Sequence, residues 1–130
     1  SSEQTNSIKP ILNANEILEI QRFNEKIYAD KIIIEYIADI VNATRNPKDY
    51  DLDLETMIEF GASPRASIWL MRTAKANALL NGRGFIIPED VKAVVHEVLR
   101  HRIILTFEAE ANGITTDKII DFVLEKISTP

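Results

Sequence analysis

The stretch Gly61-Ala62-Ser63-Pro64-Arg65-Ala66 combines residue types that can hold an anion. Ser63 is suited to cap a helix, and Pro64 to be its first residue, where a missing N–H costs nothing. Arg65 then falls near the second helical position, where a cation is disfavoured because the N-terminal end of the helix dipole is already positive. The penalty is roughly 0.3–1 kcal/mol at an exposed site. Free N–H groups at a helix start, together with a guanidinium, make a receptor for phosphate. Arginine suits this better than lysine because its planar fork can bind two oxygens at once. The alternative is that Arg65 extends into water or pairs with an acid from segment 48–60, and the residues alone leave both readings open.

Other chemistry is hard to assemble. Gly61, Gly82, Gly84 and Gly113 fit neither a phosphate loop nor a dinucleotide fingerprint. His96 and His101 are five apart, which puts them on different faces of a helix and makes them poor joint metal ligands, so no metal site is expected. Glu89-Asp90 sits where a helix start favours acids and reads as a dipole partner rather than a catalytic pair. Arg45, Arg100, His101 and Arg102 close helices, where cations suit the dipole. Arg83 follows Gly82 and could touch another domain or subunit. Trp69 lies beside the apolar stripe of its helix, with core and interface equally open. With no cysteine, disulfides and thiolate chemistry are excluded.

The elements that would position Arg65 are helical. Asn13, with Glu16 three residues on, predicts the start of a helix over about 14–27 whose apolar face is Ile17, Leu18, Phe23 and Ile27. Asp30 caps a second helix to about residue 45, with Ile33, Tyr36, Ile37, Ile40, Val41 and Thr44 at helical spacing. Asn46-Pro47 ends it. Segment 48–60 reads as an irregular connection with one short strand. Ser63-Pro64 opens a third helix, with a face of Ile68, Met71, Ala74, Lys75 and Ala78, which Asn81-Gly82 stops. Phe85-Ile86-Ile87 suits a short strand. Pro88 starts a fourth helix to about Arg102, and Ile103–Phe107 either continues it or turns extended. Glu108–Gly113 is expected as a loop, and a last helix runs from Thr115 or Thr116 to about Ile127. The fold class is therefore all-α: a compact bundle of about five helices with one or two very short strands.

The chain has 130 residues, enough for one domain with its own core. Residues 1–12 read as a linker or tail, poorly ordered in isolation, and 13–130 as the domain. The start on Ser1 rather than Met predicts a piece of a longer protein. No apolar run approaches a membrane span of about 20 residues, and the polar start has no signal-peptide pattern. Together with the lack of cysteine, this fits a cytoplasmic setting. The net charge of −5 hides a basic middle, since residues 61–105 hold 7 Lys/Arg against 3 Asp/Glu. A helical nucleic-acid-binding or protein-interaction module is the competing reading, but overall acidity and the lack of a basic recognition helix argue against nucleic acid.

Gly61–Ala66, Ala74-Lys75-Ala76, Gly82-Arg83, Pro88-Glu89-Asp90-Val91 and Val98-Leu99-Arg100-His101-Arg102-Ile103 together resemble the lid subdomain of the MoxR family of AAA+ ATPases. Ile17–Gln21, Tyr36-Ile37 and Ala43-Thr44-Arg45 are similar too, so the resemblance runs from about residue 10 to 128. It implies an ATPase core ahead of the lid, joined by residues 1–12, which carries the Walker motifs and binds ATP and Mg²⁺. Arg65, framed by Ser63 and Pro64, is similar to the family's sensor-2 arginine, which contacts the ATP γ-phosphate. The resemblance further implies neighbouring subunits in a ring, a hexamer, and chaperone-like remodelling of protein complexes with von Willebrand factor A domain proteins as partners. No Walker motif, sensor 1 or arginine finger is present in this sequence, so no catalytic residue is assigned and the chain alone is expected to hydrolyse nothing.

Overall fold

A computed structural model describes residues 13–130, and the tail expected over 1–12 lies outside the described residues. Among them, six α-helices and one two-stranded antiparallel sheet give the all-α class that the periodicities predict. The order is α1 (Ala14–Glu25), α2 (Lys31–Arg45), a 3₁₀ turn (Pro47–Tyr50), β1 (Ile58–Phe60), α3 (Ala66–Leu80), α4 (Pro88–Leu99), β2 (Ile104–Leu105), α5 (Phe107–Ala111) and α6 (Thr116–Lys126).

Side-chain caps set most of the boundaries. The Asn13 Oδ1 accepts the Glu16 N–H at 2.9 Å, and the Asp30 Oδ1 accepts that of Ile32 at 3.0 Å. Thr115 caps α6 through the Lys118 N–H at 3.2 Å. Gly82, at φ +73°, ends α3 in the left-handed region that glycine enters without penalty. The stretch expected as a loop after residue 107 instead folds into the five residues of α5, because Thr106 caps it through the Ala109 N–H at 3.1 Å. Ile104 and Leu105 are extended and pair with Phe60 and Ile58. Phe85 makes only an isolated parallel bridge to Tyr28, with the Tyr28 N–H donating to Gly84 O and the Ile86 N–H to Tyr28 O.

The core is built on α2, whose Tyr36, Ile37, Ile40, Val41, Ala43 and Thr44 are almost fully buried. Helix α3 packs most extensively on α4. Its buried stripe is Ala66, Leu70, Ala74 and Ala78, so the face expected from Ile68, Met71 and Lys75 is rotated. The physical reason is size: alanines let α3 approach α4 closely, which turns Ile68 and Trp69 toward open space, both about half exposed. Helix α1 differs from expectation in another way. It has no buried residue, and Ile17, Leu18, Ile20 and Phe23 stay 45–58% exposed, while Ile27 beyond its end is buried.

A buried carboxylate ties the α3–α4 connection. Asp90 has no exposure and accepts both guanidinium nitrogens of Arg83 at 2.6 and 2.7 Å, the Asn77 amide at 2.8 Å and the Ile87 N–H at 2.8 Å. Asp90 is thus more than a dipole partner, and Arg83 is turned inward onto it. Burial pushes the Asp90 carboxyl up, but Arg83, the Ile87 N–H and Asn77 outweigh this and hold it below its usual range. Replacing Asp90 by Ala should cost about 3 kcal/mol in urea unfolding, the low end for breaking a buried pair, because Arg83 keeps a quarter of its side chain in water. A carboxylate whose folded pKa lies below its unfolded value of about 3.9 adds stability that is complete above that value. That stability is lost as pH falls toward the folded pKa, so wild-type urea midpoints should drop more steeply between about pH 5 and pH 2 than those of Asp90→Asn.

Candidate anion-binding cleft

The segment leading into α3 is held by the C-terminal turn of α2. A side chain on Gly61 would collide with the Thr44 carbonyl and come within 2.7 Å of the Arg45 Cα, so only glycine allows this approach. The contact delivers Ala62, fully buried, to two consecutive residues. The Thr44 Oγ1 accepts the Ala62 N–H at 3.0 Å while donating to Val41 O at 2.7 Å. The Arg45 guanidinium donates to Ala62 O at 3.3 Å. Arg45 therefore does more than complement a dipole, since it clamps the segment that carries Arg65.

Beyond Ala62 the chain turns tightly. The Ser63 Oγ accepts the Arg65 N–H at 3.1 Å, the Ala66 N–H donates to Ser63 O at 2.8 Å, and the Ser67 N–H donates to Pro64 O at 3.1 Å. The regular helix begins at Ala66, later than Ser63-Pro64 predicts, because this first turn closes with shorter-range bonds. The N–H groups of Arg65, Ala66 and Ser67 are thus already used, so the free helix start expected from sequence is not available to an anion, and side chains are the donors that remain.

Arg65 is exposed. Ion pairs among the described residues are Lys31–Glu35, Arg83–Asp90, His96–Asp121 and Arg100–Asp117, so no acid from segment 48–60 takes the Arg65 guanidinium. Ser63, Arg65, Ile68, Trp69, Arg72 and Arg102 line an open cleft of ≈ 450 Å³. Arg72 and Arg102 lie over the Trp69 ring, 5.5 and 5.8 Å from its centroid, a cation–π geometry that holds both guanidinium groups at the cleft wall. Neither arginine is in an ion pair among the described residues. Three cations thus line this cleft without an ion-pair partner among the described residues, in a chain of net charge −5, which makes it a candidate anion receptor.

Sequence reasoning named Arg65, Ser63 and Pro64 but missed Arg72 and Arg102 as members of the same site. The spacing Arg65, Trp69, Arg72 places three residues along one helix face and could have signalled the first of them. Arg102 could not be found this way, because its place depends on the turn after α4. The remaining candidates lie elsewhere: the His96 Nε2 meets the Asp121 Oδ1 at 2.7 Å, and the Arg100 Nε donates to Asp117 at 2.9 Å, both joining α4 to α6. Among the described residues no cluster of three or more His, Asp or Glu could hold a metal ion.

The described residues thus form a small helical bundle with an exposed arginine at the entry to its third helix. Residues 51–122 match the family model described as AAA lid domain. The chain is 36% identical over 123 residues to the chaperone MoxR1 of Mycobacterium tuberculosis, covering 94% of this chain and 33% of that protein. It is 39% identical over 84 residues to the protein MoxR of Paracoccus denitrificans, covering 61% of this chain and 25% of that one. A crystal structure of a proposed ATPase from Cytophaga hutchinsonii superposes with a TM-score of 0.86 at 44% identity, over 89% of this chain and 36% of that one. The chain belongs to the AAA lid domain family, in the branch of the MoxR-type AAA+ ATPases. It spans only about a quarter to just over a third of the length of these relatives.

The clamp on Ala62 gives a stability test. Gly61→Ala should destabilise by about 3 kcal/mol, the upper end for overpacking, because the obstacle is backbone that cannot rotate away. Thr44→Val keeps the shape but strands the buried Ala62 N–H, and should cost about 1–3 kcal/mol. Urea unfolding of both variants checks this, with Ser67→Ala, at a half-buried position outside the clamp, expected to remain close to wild type.

Proposed function

We propose that this chain is the part of an AAA+ ATPase that closes over bound nucleotide, with Arg65 contacting the γ-phosphate. The observation that carries this reading is the Arg65 guanidinium, exposed and unpaired among the described residues, on a segment pinned at both backbone groups of Ala62. Pinning matters because a phosphate-sensing group must be pre-positioned to respond to one phosphoryl group. Ser63 and Pro64 set the turn that presents it.

ATP fits this cleft through its phosphates, since the lining cations have no competing acid. Mg²⁺ does not fit here, because the described residues offer no cluster of carboxylates or histidines, so its ligands belong to the core expected in the longer protein. The exposed apolar residues of α1 support packing of this domain against such a core. In this reading Arg65 holds the lid down while the γ-phosphate is present. Its release frees the lid to rotate and to move a neighbouring subunit of a ring, a hexamer. That motion serves chaperone-like remodelling or assembly of protein complexes in the cytoplasm, with von Willebrand factor A domain proteins as partners. No described helix is long and apolar enough to cross a membrane.

The test is the ATPase rate of the full-length protein. Arg65→Ala should lower turnover at saturating ATP by at least about tenfold, with arginine fingers, at roughly 10³–10⁵-fold, as the upper guide. Arg65→Lys should restore only part of it, since the charge returns without the fork. Arg45→Ala should reduce turnover less than Arg65→Ala, because Thr44 still holds Ala62. Unchanged turnover and affinity in a folded Arg65→Ala protein would contradict the assignment.

A further inference from the structure

The cleft beside Arg65 holds two more guanidinium groups than contact with one phosphoryl group requires. Arg72 comes from the same face of α3, and Arg102 from the turn between α4 and β2, 37 residues further along the chain than Arg65. Both are exposed, both rest on Trp69, and neither is paired with an acid among the described residues. Arg83 and Arg100, by contrast, are spent on Asp90 and Asp117. Converging cations cost repulsion unless an anion joins them, and a planar guanidinium braced on an indole keeps its edge N–H groups free to donate.

We propose that Arg65, Arg72 and Arg102 form one polyphosphate site, in which Arg72 and Arg102 bind phosphate oxygens of the nucleotide other than those held by Arg65, and Trp69 braces their guanidinium groups. This rests on the reading of Arg65 as a nucleotide contact and assigns two further binding residues to it. Trp69 is the one tryptophan in the chain, so all of its tryptophan fluorescence comes from the wall of this cleft.

The experiment titrates the chain with inorganic tripolyphosphate, ATP, AMP and a short single-stranded DNA, following Trp69 emission at low and moderate salt. Tripolyphosphate and ATP should bind with similar affinity and lose it steeply with salt, and AMP should bind much more weakly. Arg72→Gln and Arg102→Gln should each weaken tripolyphosphate about tenfold, the effect of one charge-assisted hydrogen bond. Lys92→Gln, an exposed cation on α4 outside the cleft, should change nothing, and circular dichroism should show every variant folded. Wild-type tripolyphosphate affinity in folded Arg72→Gln and Arg102→Gln, with binding lost only in Arg65→Gln, would overturn this proposal while leaving Arg65 its role. No Trp69 response to tripolyphosphate in the wild type would overturn it too, and the full-length turnover of Arg65→Ala would then decide Arg65 separately. Binding of DNA far tighter than of tripolyphosphate at equal charge would reassign the cleft to nucleic acid.

Discussion

The absence of a side chain at Gly61 is the constraint on which the placement of the site depends. It lets the backbone after β1 lie against the Thr44 carbonyl, closer than any other residue would permit. From that contact Thr44 and Arg45 reach both polar groups of Ala62, and from Ala62 the Ser63-Pro64 turn leads directly into α3. Arg65 is therefore referenced to α2, the most buried helix, and not to a mobile loop. A buried N–H satisfied by a buried hydroxyl is a costly bond to lose, which makes the reference stiff.

The second anchor lies at the other end of α3. Asp90 gathers Arg83, Asn77 and the Ile87 N–H at one carboxylate, fixing how the α3–α4 connection turns. Between the two anchors the alanine stripe draws α3 onto α4, and the same rotation that buries alanine exposes Ile68, Trp69 and Arg72. Close packing on one face thus generates the cleft on the other. Two arginines end in carboxylates, while three others converge on the cleft without one. This difference in partner, not the count of cations, separates the paired charges from the unpaired ones in the basic middle of the chain.

Much of this architecture was legible in the residues. Asn13, Asp30, Thr115 and Gly82 marked helix ends because capping and left-handed turns are local chemistry. The face of α2 was legible because its isoleucines recur at helical spacing. The face of α3 was misread because alanine and isoleucine look equally apolar in a pattern, while packing distance discriminates by size. The apolar residues expected to form a buried face of α1 stay exposed, and what they would cover is not encoded within the helix itself. The site was legible in part. Arg65 stood out because a cation at a helix start is locally unfavourable, whereas Arg102 and the Gly61–Thr44 contact depend on long-range geometry that no local spacing records.

The most direct measurement is a high-resolution structure of the full-length protein with Mg²⁺ and a non-hydrolysable ATP analogue. If Arg65 reads the nucleotide, its guanidinium lies about 2.7–2.9 Å from a γ-phosphate oxygen, with Ala62 still clamped between Thr44 and Arg45. An Arg65 side chain pointing into solvent while another cation holds the γ-phosphate would contradict it.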